Sequence, residues 1–459
     1  MFINIFFASD VFSIPRKDLE NTIIIDTEIA NFLDDVVGVV SDKTNMKMYV
    51  VVNNSFNAVA TSKNTIGIYT GLFYRIDDIE VFVAVITHEI GHIVENHLTR
   101  LQKRIDDAQD LSILGNIVAI GAIIAATNVS SMRQTPDNPS GYALPSVAPL
   151  LLNDVLTKDL TTYTRSEESL ADQFLINTFL EKKISLTEYM NFMSEMAKED
   201  DSLYAQNSSD HPKTSDRVAD IKSRLENNED IGKKLPIELS VKYKMVQAKI
   251  FGLLNNIEDI TAKYSSKNML DTPYYFYALS VSNWFNKNHD TALDNINKII
   301  DDYLLRRDEP YANIINVGYL WEVKAEIYLS KGDIKNAIDF YELAITELES
   351  LAVENNKNFD ITKQSFASVL IKSDDKENIN RGIEILQLQL LKKQSANIFY
   401  QLGIGYGKLN DIGRAHYYLA KYFSIIGNKK EVQNNIEKSE KVLDKDSPEY
   451  ADLIMMKTL

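Results

Sequence analysis

His88-Glu89-Ile90-Gly91-His92 follows the apolar run Val81-Phe82-Val83-Ala84-Val85-Ile86, and the two together read as a helix that carries an HExxH motif. Imidazoles four residues apart lie on one helix face, one turn apart. From there both can reach a single Zn²⁺ at ~2.0–2.1 Å. The intervening glutamate stands where it can take a proton from an attacking water. The chain has six histidines in 459 residues, so chance seldom produces this spacing. The competing explanation is a surface helix with two incidental histidines.

A catalytic zinc needs a third protein ligand and one open position. His97 is the nearest candidate. Continued helix at about 100° per residue turns it to the face opposite His88. Its spacing falls one short of the long metzincin motif, and Ile93-Val94-Glu95-Asn96 lacks that motif's glycine. These four residues are expected to run on as helix, leaving His97 a polar residue at a helix end and not a ligand. The second candidate is Tyr163-Thr164-Arg165-Ser166-Glu167-Glu168-Ser169-Leu170-Ala171-Asp172, the start of another helix. Glu168 and Asp172 form an i, i+4 pair. One can ligate while the other accepts the free N–H of a ligating histidine. The alternative is a solvated acidic helix start favoured by the macrodipole. The third candidate is His211, which Pro212 places in a loop. Near a zinc it would fill the open position; otherwise it is an exposed loop histidine.

In this order, His88–His92, Glu168-Ser169-Leu170-Ala171-Asp172, and His211-Pro212 with Arg217 resemble the HtpX/BepA family of zinc metallopeptidases. The resemblance extends to Asn57-Ala58-Val59-Ala60 and Ile68-Tyr69-Thr70-Gly71-Leu72 and covers roughly residues 40–225. It implies an α+β gluzincin-type domain holding one Zn²⁺ through His88, His92 and Glu168, with Asp172 supporting a ligating histidine. In BepA-like members a loop histidine before proline can sit over the metal as a switch. His211 matches that position, as a regulatory fourth ligand.

The chemistry expected is peptide-bond hydrolysis with Glu89 as the proton-transfer residue. No cysteine is present as a rival nucleophile, and no serine occupies a G-x-S-x-G turn. Arg217 and Tyr163 are candidates for stabilising the transition state, and each has a plain alternative as a structural residue.

Met48-Tyr49-Val50-Val51-Val52 reads as a buried strand. Ala58–Thr61 and Thr65–Thr70 read as a hairpin joined by Ser62-Lys63-Asn64. By resemblance, an edge strand beside the zinc helix would bind an unfolded peptide through backbone hydrogen bonds. Leu111–Ala126 is the most apolar run, at the short limit for spanning a bilayer. A buried or membrane-contacting helix at Leu111–Val129 is preferred to a span, although an integral membrane protease is a rival. Ser130–Pro149 carries four prolines and reads as a long loop suited to a substrate gate.

The charged run Glu226–Lys234 reads as a linker, and amphipathic helices follow from residue 236 to 459. Trp321, Ala325, Tyr328, Gly332, Ala337, Tyr341 and Ala344 stand at the offsets of a tetratricopeptide (TPR) repeat. Phe399, Leu402, Gly403, Tyr406, Ala415 and Leu419 fit a second unit. Phe276, Leu279 and Ala292 mark a degenerate third, and Ile361–Leu386 another worn one. The expected whole is a peptidase domain at 21–230 and an all-α TPR-like solenoid at 236–459 that recruits partners. BepA-like proteins join these modules in this order.

The net charge of −16 argues against nucleic acid and against charge-driven binding to anionic lipid. Residues 1–20 lack a basic start but resemble the tail of a signal peptide. The resemblance implies the bacterial periplasm, with unfolded or misassembled proteins as clients and outer-membrane assembly machinery as a partner. The function expected is degradation of stalled envelope proteins. The rival is an assembly chaperone that cleaves little or not at all.

Overall fold

The computed structural model describes residues 4–6, 16–41, 46–62, 64–97, 165–200, 214–225, 232–306, 314–355 and 358–458. The expectations for Leu111–Val129, Ser130–Pro149, Tyr163 and His211 lie outside these residues. The described residues fall into two compact units. One contains 28–97, 165–200, 214–225 and 232–254; the other contains 4–6, 16–27 and the described residues from 255 onward. In the latter, strands β1 (Asn4–Phe6) and β2 (Ile23–Ile25) pair in parallel, with Asn4 opposite Ile23.

The first unit is mixed. Helix α1 (Thr27–Val40) leads to strands β3 (Lys47–Val51), β4 (Ala58–Ser62) and β5 (Thr65–Tyr69). β5 pairs in parallel with β3 and antiparallel with β4. The expected hairpin is present, with Ala58 opposite Ile68 and a register shift between Ala60 and Ser62. β4 ends the strand order and packs against the motif helix. β3 is less buried than its β-branched run suggests. Val50 is covered while Tyr49 and Val51 keep partial exposure, as in a strand with one covered face.

Helix α2 (Thr70–Arg75) precedes α3 (Ile79–Val94), which carries the HExxH residues. Asp78 starts α3 as its cap: one carboxylate oxygen accepts from the Glu80 and Val81 amides at 3.0 and 3.3 Å. Then come α4 (Arg165–Lys182), α5 (Thr187–Asp200), α6 (Thr214–Leu225) and α7 (Ile237–Leu254). α7 anchors the back of α3. The Tyr243 ring lies 4.8 Å from Phe82 and 5.6 Å from Phe32, and its hydroxyl donates to Ile76 O at 2.9 Å. Gln247 Nε2 donates to the Phe73 and Ile76 carbonyls. α7 thus packs within this unit, which runs to Leu254. The end of the expected linker is also pinned: Lys233 N donates to Lys183 O at 2.9 Å, and Ser185 N donates to Lys233 O at 3.0 Å.

Apart from β1 and β2, the second unit is helical among its described residues. It contains α8 (Ile257–Ser266), α9 (Pro273–Phe285), α10 (His289–Arg306), α11 (Val317–Lys331), α12 (Ile334–Asn355) and α13 (Asp360–Lys372). It continues through α14 (Lys376–Lys392), α15 (Ala396–Lys408), α16 (Ile412–Ile425), α17 (Lys429–Glu440) and α18 (Pro448–Thr458). Successive helices pack as pairs: α9 on α10, α11 on α12, α13 on α14, α15 on α16. In the α11–α12 pair Ala325, Ala337, Tyr341 and Ala344 are fully buried. Trp321 and Tyr328 each stack on Phe340, at 5.5 and 5.3 Å. Gly332 ends α11 at φ +84°, a left-handed conformation that glycine adopts without steric cost. No helix among the described residues is long and apolar enough to cross a membrane.

Candidate active site

α3 and α4 cross where their side chains are smallest. A Cβ added to Gly91 would lie 3.0 Å from Ala171 Cα and 3.1 Å from Ala171 O, so the contact depends on having no side chain there. This approach sets Glu168, in the first turn of α4, against His88 and His92 of α3. His88 Nε2 lies 3.3 Å from Glu168 Oε2, and His92 Nε2 lies 3.3 Å from Glu168 Oε1. The two Nε2 atoms are 3.1 Å apart. Four ligands placed tetrahedrally at ~2.0–2.1 Å from one ion are about 3.3–3.4 Å from each other. The two Nε2 atoms, and each of them with the Glu168 oxygen that faces it, therefore stand near such separations, and one ligand atom from each residue can be chosen with all three within 4.8 Å of one another. All three residues are buried, and among the described residues they form a group that could hold a metal ion.

A second layer holds these ligands. Asp172 lies one turn after Glu168, and its Oδ1 accepts from His88 Nδ1 at 2.9 Å. Arg217 of α6 grips the same carboxylate with both arms: Nε donates to Oδ2 at 3.0 Å and Nη2 to Oδ1 at 2.7 Å. Arg217 Nη1 is 3.7 Å from Glu168 Oε2. Burial and the Arg217 charge push the His88 pKa down, but Asp172 and Glu168 outweigh them and raise it to about 9. Burial would raise the Asp172 carboxyl; Arg217 and His88 more than offset this and keep it below the usual carboxylate range. Arg217 thus faces Asp172 and Glu168 together, and Glu89, beside His88 on α3, is buried.

Two nearby residues depart from the sequence reading. His97 was expected on the far face of a continuing helix. α3 instead ends at Val94, and Asn96 adopts φ +56°. The chain folds back, His97 is fully buried, and its Nδ1 lies 2.9 Å from His92 Nδ1. The overlooked signal was Asn96 just past the apolar stripe, since asparagine tolerates the left-handed turn that stops a helix. Tyr189 of α5 is also buried at the site. Burial pushes its hydroxyl pKa up, and the fields of Asp172, Glu168 and Glu89 add to that against Arg217. Nothing in the local sequence marks Tyr189, because it meets these residues only through the packing of α5.

The ligand set can be set beside known families. Residues 26–225 match Peptidase family M48. The match contains every residue of the cluster and supports a metallopeptidase of the M48 type for this part of the chain. Metallopeptidases of that family are typically zinc-dependent, and the two histidines and one glutamate gathered here suit that ion. No curated protein matches the chain.

Proposed function

We propose that the chain is a zinc endopeptidase of the HtpX/BepA type that cleaves misfolded or stalled envelope proteins in the bacterial periplasm. The observation that supports it best is the convergence of the two Nε2 atoms of α3, 3.1 Å apart, on the Glu168 carboxylate of α4, whose two oxygens each lie 3.3 Å from one of them. His88, His92 and Glu168 would hold the metal. Zinc, when bound, supplies a Lewis acid that polarises the scissile carbonyl and makes water a stronger acid. Glu89 takes the proton of the attacking water as the new C–O bond forms, then delivers it to the leaving amine as the C–N bond breaks. Asp172, fixed by Arg217, holds the His88 ring with Nε2 directed at the ligand set. Arg217 fixes Asp172, and its Nη2 also lies 3.2 Å from His88 Nδ1 and 3.4 Å from His88 Nε2, in keeping with the structural alternative for that residue.

The edge strand β4, packed against α3, suits capture of an extended segment by added backbone pairing, a mode tolerant of client sequence. The helix pairs of the second unit suit a TPR-like surface that recruits clients and docks to outer-membrane assembly machinery. The small and aromatic residues buried between α11 and α12 support that reading. His211 is assigned the role of a regulatory fourth ligand.

Two measurements test the proposal together. Metal analysis of the purified protein should find about one zinc per chain, largely lost in Glu168→Gln. Casein should be digested by the zinc-loaded protein, and Glu89→Gln should slow digestion by about 10²–10⁴-fold while keeping its zinc. Zinc bound without any zinc-dependent digestion would leave the chaperone as the better reading.

A further inference from the structure

We propose that His97 is a positioning residue for His92, acting as the acceptor of a hydrogen bond between their Nδ1 atoms. The inference rests on the zinc reading above. A histidine that ligates through Nε2 carries its proton on Nδ1, and the partner of that proton fixes both the tautomer and the ring plane. For His88 the partner is Asp172. For His92 the atom facing Nδ1 is His97 Nδ1, 2.9 Å away, with both rings fully buried. One of two facing nitrogens must donate and the other accept. With His92 donating, His97 holds its own proton on Nε2 and presents a bare Nδ1. The rings stand at 70° with centroids 5.0 Å apart, so one ring edge points at the other and the two do not stack.

The backbone is built for this contact. In a continued helix, a residue five places on would lie about 140° round the axis, out of reach. The helix is closed off by Glu95 N donating to Gly91 O at 2.9 Å and Asn96 N donating to Ile93 O at 3.1 Å. Asn96 at φ +56° then turns the chain back so that the fifth residue after His92 comes to rest against its ring. The two ligating histidines thus have different supports. His88 leans on a carboxylate from another helix, and His92 leans on an imidazole just beyond the end of its own helix.

Zinc affinity, measured by competition with a chromophoric chelator, tests this apart from catalysis. His97→Leu removes the acceptor and should weaken zinc binding by about 10–100-fold, as loss of such outer partners typically does. His97→Asn places an amide oxygen where Nδ1 stood and should stay within a few-fold of wild type. In the zinc-loaded wild-type protein, ¹⁵N-histidine NMR should show His92 protonated on Nδ1 and His97 on Nε2. The inference is overturned if His97→Leu binds zinc like wild type, if His97→Asn is as weak as His97→Leu, or if His97 carries its proton on Nδ1. Should His97→Leu fail to fold, the asparagine variant and the tautomers decide. A wild-type protein that binds no zinc overturns the metal reading and this inference together, whereas binding that is normal in both wild type and His97→Leu overturns the inference alone.

Discussion

Two helix pairs in this chain approach closely through small residues, and they enclose opposite chemistry. α3 meets α4 at Gly91 and Ala171, and the space beside that contact holds His88, His92, Glu168, Asp172 and Arg217. α11 meets α12 with Ala325, Ala337 and Ala344 buried, and the space beside them is filled by Tyr341 and by Trp321 and Tyr328 stacked on Phe340. Two carboxylates, Glu322 and Glu326, are buried there as well, and Glu326 accepts a hydrogen bond from the Tyr341 hydroxyl. Aromatic stacking and apolar burial stabilise a fold directly. Gathering several ionisable groups out of water does not, because desolvation offsets much of their attraction. Close helix approach is therefore a neutral device. The first pair uses it to bring together His88, His92 and Glu168, which could hold a metal ion, and the second to bury small and aromatic side chains.

If that contrast is right, damage to the two pairs should separate cleanly. The largest effect is expected from Asp172→Asn. The substitution removes the charge that orients His88 and leaves Arg217 without its two-armed partner. Zinc affinity should fall by about 10–100-fold, read by chelator competition. An unchanged affinity would mean that the Asp172–Arg217 pair is scaffold after all. Next comes Ala337→Leu, which forces extra methyl groups into a fully buried position. It should cost about 1–3 kcal/mol of stability in urea unfolding. Zinc affinity of the folded protein should not change, because no ligand belongs to that helix pair. A parallel loss of zinc would break the comparison.

The reach of the sequence divides along the same line. His88 and His92, like Glu168 and Asp172, are legible because each pair sits one helical turn apart, a relation fixed by local geometry. The α11–α12 pair is legible for the same reason, with its small and aromatic residues at local offsets. Most of what is not legible depends on elements distant in sequence, and His97 on a single local turn. The Gly91–Ala171 contact needs α3 and α4 already side by side. Tyr189 has no nearby partner to announce it. The composition of α7 resembles that of the helices after it, and only the contacts of Tyr243 with Ile76 and of Gln247 with Phe73 tie it to α2 and the turn that follows. His97 was misplaced because one left-handed residue, Asn96, cancels the helical arithmetic that otherwise works so well beside it.

Gly91→Ala probes the first crossing with the smallest change available. Alanine is favoured over glycine within a helix by about 1 kcal/mol, so propensity alone would stabilise α3. Against this, the new methyl would press on Ala171 Cα and O at 3.0–3.1 Å and on Phe174 Cβ at 3.2 Å. Two of these contacts are backbone atoms of α4, which cannot rotate aside as a side chain can. The helices must part by a few tenths of an ångström, and Glu168 moves with α4. The two energies oppose each other, so unfolding free energy should stay within about 1 kcal/mol of wild type. The ligands share no such compensation, since metal distances tolerate only about 0.2 Å. Zinc affinity should drop by a few-fold while stability hardly moves. Equal affinity in Gly91→Ala would show that the approach of the two helices is not what sets the ligand spacing.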